Sequence, residues 1–298
     1  RLSFFRDQAL IHGETLIDWQ EKWKILKLKI HSDYTPIEVI CGSPLGSKIR
    51  STKKRTVYQK AMYEFAFQQF AYWENENPVH EREFQAMAMY SQTKYGMRAE
   101  PELMEMSLLK AATHPKPDKT YATLDSDHGT RSRFNDRGFH RIPWAIEFFK
   151  SKNQEMMTIK HAKEHNYPIL AIRGKIMGGE AASFFQCDQE NVHLTGVKPA
   201  ETTLTTGSGR FYDPKKRDIP LIMRCVEYLG KTTDCSILMN DSLNLIKVME
   251  TDLLERIEVK EPSSAVMRET QHEISVKLRP FEIKTILMVF KRVDFSRR

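Results

Sequence analysis

Along almost the whole chain, short stretches of alternating apolar and polar residues are separated by turn-forming sequence, the pattern of half-buried antiparallel strands. Residues 23–30 (W-K-I-L-K-L-K-I) end in strict alternation, which puts Leu26, Leu28 and Ile30 on one face and turns Lys27 and Lys29 to water. Residues 36–41, 63–73, 84–91 and 103–109 are predicted as further strands, and Lys94-Tyr95-Gly96 as a hairpin in which Gly96 supplies a positive φ. Residues 115–138 show no period and are expected to form a long loop, of a length (beyond ~15 residues) that tends to carry function. Strand signals return at 142–149. Residues 155–165 are the one predicted helix, with Met156, Ile159, Lys160 and Lys163 at helical spacing and Asn166-Tyr167-Pro168 as its stop.

Strands are predicted again at 192–198, 221–228 and 236–240, and the clearest signal closes the chain. Ile274, Val276 and Leu278 alternate with Ser275, Lys277 and Arg279; Pro280 then interrupts before Ile283, Ile286 and Met288 resume, which reads as strand, sharp corner, strand. The expected fold is all-β: a large antiparallel β-sandwich (a supersandwich) over residues 1–168, a smaller β-sandwich over 169–298, and the helix as connector.

Composition narrows the function classes. A chain of 298 residues with 40% hydrophobic and 10% aromatic residues is globular and holds one large or two smaller domains. Apolar runs fall short of the ~18 residues that span a bilayer, so no membrane partner is expected. The start, R-L-S-F-F-R-D-Q, lacks the order of a signal peptide and begins in mid-strand, which predicts a fragment of a longer protein. Cys41, Cys187, Cys225 and Cys235 form no C-x-x-C pair and no disulfide framework, which points to a reduced, cytoplasmic setting. The sequon Asn240-Asp241-Ser242 is a chance match in a chain of this length. The net charge of +7 comes from 46 basic residues interleaved with 39 acidic ones. The two basic clusters, at 48–55 and 215–217, fall in predicted solvated loops without interleaved aromatics, so no nucleic-acid partner is expected.

Candidate chemistry is sparse. His161 and His165 have the i, i+4 spacing of a shared metal, but Ala162 stands where a zincin has Glu, and both are expected to be exposed polar residues of the helix. His31 and Asp33 are expected in a turn at a strand end. The long loop gathers Asp125, Asp127, His128, Asp136, Arg137 and His140, a set suited to sugar or ion binding and equally suited to turns. No phosphate loop, nucleophile elbow or Cys/His dyad is present.

Several blocks, taken in order, carry a family resemblance. Ile17-Asp18-Trp19-Gln20-Glu21 with Leu26-Lys27-Leu28 resembles I-D-W-x-E…L-L-K-V, and residues 89–96 (M-Y-S-Q-T-K-Y-G) resemble L-N-D-C-K-Y-G. Residues 106–110 with Pro117-Asp118 resemble L-S-L-L-R-A-P…P-D, and residues 136–146 resemble D-x-G-x-H-x-F-x-Y-A-I. Asn166-Tyr167-Pro168 matches an N-x-P after a helix, and residues 278–285 read L-R-P-F-E-I-K-T. Together these resemble the C-terminal β region of glycoside hydrolase family 38 α-mannosidases, closest to the cytosolic, vacuolar and bacterial branch.

The resemblance implies a retaining, metal-dependent activity whose zinc ligands, nucleophile and acid/base carboxylate lie in an N-terminal barrel outside this chain. A retaining pair needs carboxylates ~5 to 5.5 Å apart. The zinc motif H-x-D-x-x-W has no counterpart here: residues 31–36 (H-S-D-Y-T-P) lack its Trp. No catalytic or metal residue is therefore expected in the chain, with zinc expected in the missing catalytic domain. The implied partners are that domain and mannose-containing glycans, with homo-oligomerisation a further expectation. Lys110, in the place of the Arg of L-L-R-A-P, and Asp136, Arg137 and His140 are the candidates for edging the sugar cleft. The interval from Pro117-Asp118 to Asp136 is longer than the family usually has. A second reading is a free-standing carbohydrate-binding or structural β-module. It would need exposed aromatics such as Tyr72, Trp73 or Trp144, for which alternation instead predicts core positions.

Overall fold

The alternating stretches are realised as antiparallel strands in the computed structural model, which describes residues 1–6, 9–31, 36–53, 56–75, 84–113, 134–167, 169–173, 183–201, 205–206, 209–210, 218–256 and 265–291. The chain divides into two compact units, Arg1–Ala171 and Ile172–Arg298. Among the described residues no helix is long and apolar enough to cross a membrane.

The first unit contains, in order, β1 Leu2–Phe4, β2 Leu10–Trp19, β3 Ile25–His31, β4 Glu38–Ser43, β5 Gly46–Ser51, α1 Val57–Ala61, β6 Phe65–Ala66, β7 Phe70–Glu74, β8 Ala86–Ser91, β9 Gly96–Glu100, β10 Leu103–Lys110, β11 Gly138–Phe149 and α2 Glu155–Asn166. A seven-stranded sheet, β1-β2-β11-β8-β7-β4-β5, packs on a four-stranded sheet, β3-β10-β9-β6, through one core. Strand parity decides which residues enter it. Ala71 and Trp73 of β7, Met87 and Met89 of β8, and Ile142 and Trp144 of β11 meet Met97, Met104 and Met106 of the smaller sheet.

The opposite face of β7, β8 and β11 is buried as well, which is why every residue of β8 is buried. There α2 covers Ala86, Ala88 and Ala145, whose small side chains let a helix approach, and inserts Thr158, Ile159 and Ala162. Tyr90 and Glu147, trapped beneath it, are paired. Tyr90 Oη donates to Glu147 Oε2 at 2.5 Å, and His161 Nδ1 lies 2.9 Å from the same oxygen. The start of α2 is pinned by the sheet: Gln154 N–H donates to Tyr72 Oη at 3.0 Å, and Asn153 N–H to Glu74 Oε1 at 2.6 Å. α2 is thus a layer of the first unit as well as the element that precedes the second.

Four local expectations are corrected. Residues 63–73 form two strands in different sheets, because Gln69 adopts a left-handed φ of 66° and turns the chain from β6 to β7. Lys94-Tyr95-Gly96 is no hairpin, since β8 and β9 belong to different sheets and Gly96 is not among the glycines of positive φ. Residues 48–51 of the first basic cluster lie in edge strand β5 rather than a loop, whereas 215–217 lie outside the described residues. Lys27 does not face water: its side chain is 15% exposed and pairs with Glu64 and with Glu105, itself 1% exposed. Cross-strand register supplies the rest of that network by setting Lys29 and Arg98 opposite Glu105. Burial opposes ionisation of Glu105, but Lys29 and Lys27 outweigh it and hold the carboxyl below its usual range. Helix α1 was legible but unpredicted, in the capping box Thr56-Val57-Tyr58-Gln59.

The second unit contains β12 Phe185–Cys187, β13 Val192–Pro199, β14 Thr205–Thr206, β15 Gly209–Arg210, β16 Ile219–Glu227, β17 Thr233–Met239, β18 Asn244–Thr251, β19 Val266–Arg268, β20 Glu273–Leu278 and β21 Ile283–Lys291. Sheets β12-β17-β20-β19 and β13-β16-β21-β18 enclose a core that includes Met223, Ile237, Ile274, Val276, Ile286 and Met288, and β14 pairs with β15. The predicted closing corner carries the chain from β20 in one sheet to β21 in the other.

That corner rests on Glu227, at the end of β16 and fully buried. Its Oε2 accepts from the N–H groups of Phe281 (2.9 Å), Gly230 (2.8 Å) and Lys231 (3.1 Å). Its Oε1 accepts from Leu229 N–H (2.8 Å) and Asn191 Nδ2 (2.9 Å). Phe281 (φ 57°) and Gly230 (φ 70°) are both left-handed, and a Cβ on Gly230 would come within 2.6 Å of the Phe281 ring. Burial by itself would raise the Glu227 pKa; the donors, Phe281 N–H first, outweigh it and lower it.

Glu227→Gln leaves an amide NH2 facing two or three N–H donors, and we expect it to destabilise the second unit by about 2 to 4 kcal/mol. Because the folded pKa is depressed, this carboxylate stabilises above the ordinary Glu value of 4.5, and that stabilisation is lost as pH falls through the lower folded value. Thermal melts from pH 7 to pH 3 check both points: the variant starts lower and shows the shallower acid decline.

Candidate functional site

The four residues singled out for the cleft come together at one end of the first unit, where β2 ends, β3 begins, β10 ends and β11 begins. Register explains the meeting: Gly138 stands opposite Trp19, and Lys110 opposite Ile25. Asp136 has a left-handed φ of 56°, a conformation Asp tolerates better than most residues, and turns the chain into β11. Its Oδ2 accepts Lys110 N–H at 2.9 Å, while its carbonyl oxygen lies 2.8 Å from His140 Nε2. Arg137 Nη2 donates to Gln20 Oε1 at 3.1 Å, and Gln20 Nε2 donates to Asp18 Oδ1 at 2.6 Å.

Lys110, Asp136 and Arg137 are exposed and His140 is half-buried. This end of the unit therefore carries an ammonium, a guanidinium, an imidazole and a carboxylate, a set that can donate to and accept from the hydroxyls of a polyol. Asp125, Asp127 and His128, from the same predicted loop, lie outside the described residues, as does Asp33. His31 is exposed at the end of β3.

Sequence reasoning missed the aromatic part of this rim. Trp23, whose N–H donates to Ala111 O beside Lys110, is 69% exposed; Phe139 is 72% exposed but lies on the face of β11 opposite His140. Trp23 meets Phe134 edge-on at 5.2 Å between centroids, and Lys22 Nζ lies 5.7 Å from the centre of the Phe134 ring. No local sequence signal marks Trp23: the alternation of 23–30 reads it as the start of the strand, and only its left-handed φ of 60° sets it outside β3. By contrast Tyr72, Trp73 and Trp144 are core residues, at 0%, 1% and 8% exposure, and offer no stacking face.

The helix histidines are not the exposed pair expected. His161 is held by Glu147, whose hydrogen bond raises the imidazole pKa above its ordinary value. His165 lies against Tyr90 and His12, and burial, with His12 beside it, pushes it down to about 4. The two rings serve the packing of α2.

Two protein-family profiles match the chain. One, Glycosyl hydrolases family 38 C-terminal domain, covers residues 1–118; the other, Glycosyl hydrolases family 38 C-terminal beta sandwich domain, covers 191–286. Among solved structures, the chain resembles an alpha-mannosidase from Enterococcus faecalis, with 14% identity and a TM-score of 0.65 over 96% of this chain and 28% of that one. It also resembles a glycosyl hydrolase family 38 protein from Enterococcus faecalis, with 14% identity and a TM-score of 0.63 over 96% of this chain and 29% of the other. At such identity the likeness speaks to the fold, and the chain spans less than a third of the length of either structure. Comparison with curated protein sequences finds no match.

Asp136 is the hinge of the rim. Asp136→Asn keeps both the left-handed turn and an acceptor for Lys110 N–H, and should alter the thermal midpoint little; Asp136→Val loses both and should cost about 2 kcal/mol. Denaturant unfolding of the two variants beside the parent checks the ranking.

Proposed function

We propose, from the premise that this chain belongs to glycosyl hydrolase family 38 as its C-terminal β region, that it serves an α-mannosidase as the non-catalytic support of the catalytic domain. In this reading the rim of Lys110, Asp136, Arg137 and His140, with Trp23 beside it, edges the sugar cleft. The reading is carried by the ordered match of both C-terminal profiles of the family to residues 1–118 and 191–286. The solved relative described as an alpha-mannosidase supports the substrate class, mannose-containing glycans, and the catalytic domain as partner. Four free cysteines support a reducing, cytoplasmic setting.

The side chains of the rim suit binding rather than bond cleavage. The Asp136 carboxylate is occupied in holding the Lys110 backbone, and the carbonyl beside it holds His140. Among the described residues, the rim brings no three His, Cys, Asp or Glu ligands to one point, so these side chains do not fit the zinc that the family implies. Metal and acid/base chemistry are assigned to the catalytic domain. The rim orients the sugar and its donors take hydroxyl oxygens, each such bond contributing about 1 kcal/mol.

Two measurements test the proposal. The purified 298-residue chain supplied with zinc should release no nitrophenol from a nitrophenyl α-mannoside. In the enzyme that contains the catalytic domain, Lys110→Ala and Arg137→Ala should each lower kcat/KM for an α-mannoside about 5- to 10-fold, the equivalent of one polar contact, with the thermal midpoint unmoved. Release by the isolated chain would contradict the catalytic assignment, and unchanged kcat/KM in both variants would remove the rim from the cleft.

A further inference from the structure

Strand register brings three metal-ligating side chains to one edge of the second unit. β12 is an edge strand of three residues, joined to β17 by Phe185↔Met239, Gln186↔Leu238 and Cys187↔Ile237. Since Cys187 faces Ile237, Cys235 lies two residues away on the same face of β17, as a diagonal neighbour. Ligand atoms of Cys187, Asp188 and Cys235 all lie within 4.8 Å of one another. Cys235 is 4% exposed, Cys187 half-buried and Asp188 exposed, so the group is floored by the core and open to solvent on the carboxylate side.

A diagonal pair suits a bridging ion better than a disulfide. Diagonal residues have Cα atoms ~7 to 8 Å apart, beyond the ~4.4 to 6.8 Å of ordinary disulfides. A tetrahedral ion with bonds of ~2.3 Å to each sulfur needs them about 3.8 Å apart, a separation inside the limit the ligand atoms already meet.

The third ligand is held in place before any ion arrives. Asp188 N–H donates to Ser236 O at 3.1 Å, and Asp188 Oδ1 accepts Ser236 N–H at 2.8 Å, so the residue is clipped to β17 by two bonds. Among the described residues, its Oδ2 accepts from Gln189 Nε2 at 3.3 Å. The nearby Cys225 is different: its thiol is in the core and donates to Lys284 O at 3.8 Å.

We propose that Cys187, Asp188 and Cys235 form a binding site for one thiophilic divalent d10 cation, zinc or cadmium, which ties edge strand β12 to β17. Two thiolates and one carboxylate make a soft, tetrahedral donor set, with solvent completing the fourth position. On binding, each sulfur that carries a proton gives it up to solvent and both become metal thiolates, with no change of oxidation state.

Cadmium titration of the phosphine-reduced 298-residue chain tests the site, because sulfur-to-cadmium charge transfer absorbs in the ultraviolet and reports cysteine ligation alone. We expect the band to saturate at one ion per chain, to vanish in Cys187→Ser and Cys235→Ser, and to persist in Cys41→Ser, which lies in the other unit. Asp188→Asn, on an exposed side chain, should keep the fold and weaken cadmium by about tenfold or more; it decides the matter if Cys235→Ser does not fold. Absence of the band, its persistence in Cys187→Ser, or unchanged affinity in Asp188→Asn would overturn the site.

Discussion

The second unit depends on a carboxylate that has been taken out of water and given five donors in return. Glu227 receives the N–H groups of three consecutive residues after β16, that of Phe281 at the closing corner, and the amide of Asn191 just before β13. These segments lie far apart in sequence and are tied together through the one buried carboxylate. One side chain thereby fixes where β20 stops, how the chain crosses to the other sheet, and where β21 starts. The corner adds its own brace, Arg279 to Glu282, while Lys284, 4% exposed, pairs with Glu250 and Glu282 on the following strand.

The first unit solves a related problem differently. Its large sheet buries both faces in its centre, and the outward face carries Tyr72, Tyr90 and Glu147 where an apolar face would be cheaper to cover. α2 supplies the missing partners: His161 meets Glu147, and the backbone ahead of the helix meets Tyr72 and Glu74. The helix is therefore positioned by polar contacts at its start and along one side, and by small residues beneath its centre. The donors of the candidate cleft sit at strand ends and in one turn: Lys110 closes β10, His140 lies near the start of β11, and Arg137 lies in the turn before it.

Much of this could be read from residue order, because a period of two needs no knowledge of neighbours. Ile274, Val276 and Leu278 are buried as their alternation requires, and the corner lies where Pro280 breaks the pattern. Candidate site residues were readable for a weaker reason: Asp136-Arg137-Gly138 is turn chemistry with exposed charges. Their companions were not readable, since Gln20 reaches Arg137 across 117 positions and Lys110 reaches Asp136 across 26, through strand pairing alone.

Local sequence, then, determined most strands, the closing corner and helix α2, because each depends on residues close together in the chain. Tertiary structure decided the rest. Lys27 reads as a solvated strand lysine until Glu64 and Glu105 close over it, and His165 reads as a surface residue until α2 is laid on β8. Cys187 and Cys235, 48 positions apart, share no motif spacing and become neighbours only through the register of β12 on β17. Burial and charge pairing are properties of what surrounds a side chain, and in a sheet those surroundings are supplied by strands distant in sequence.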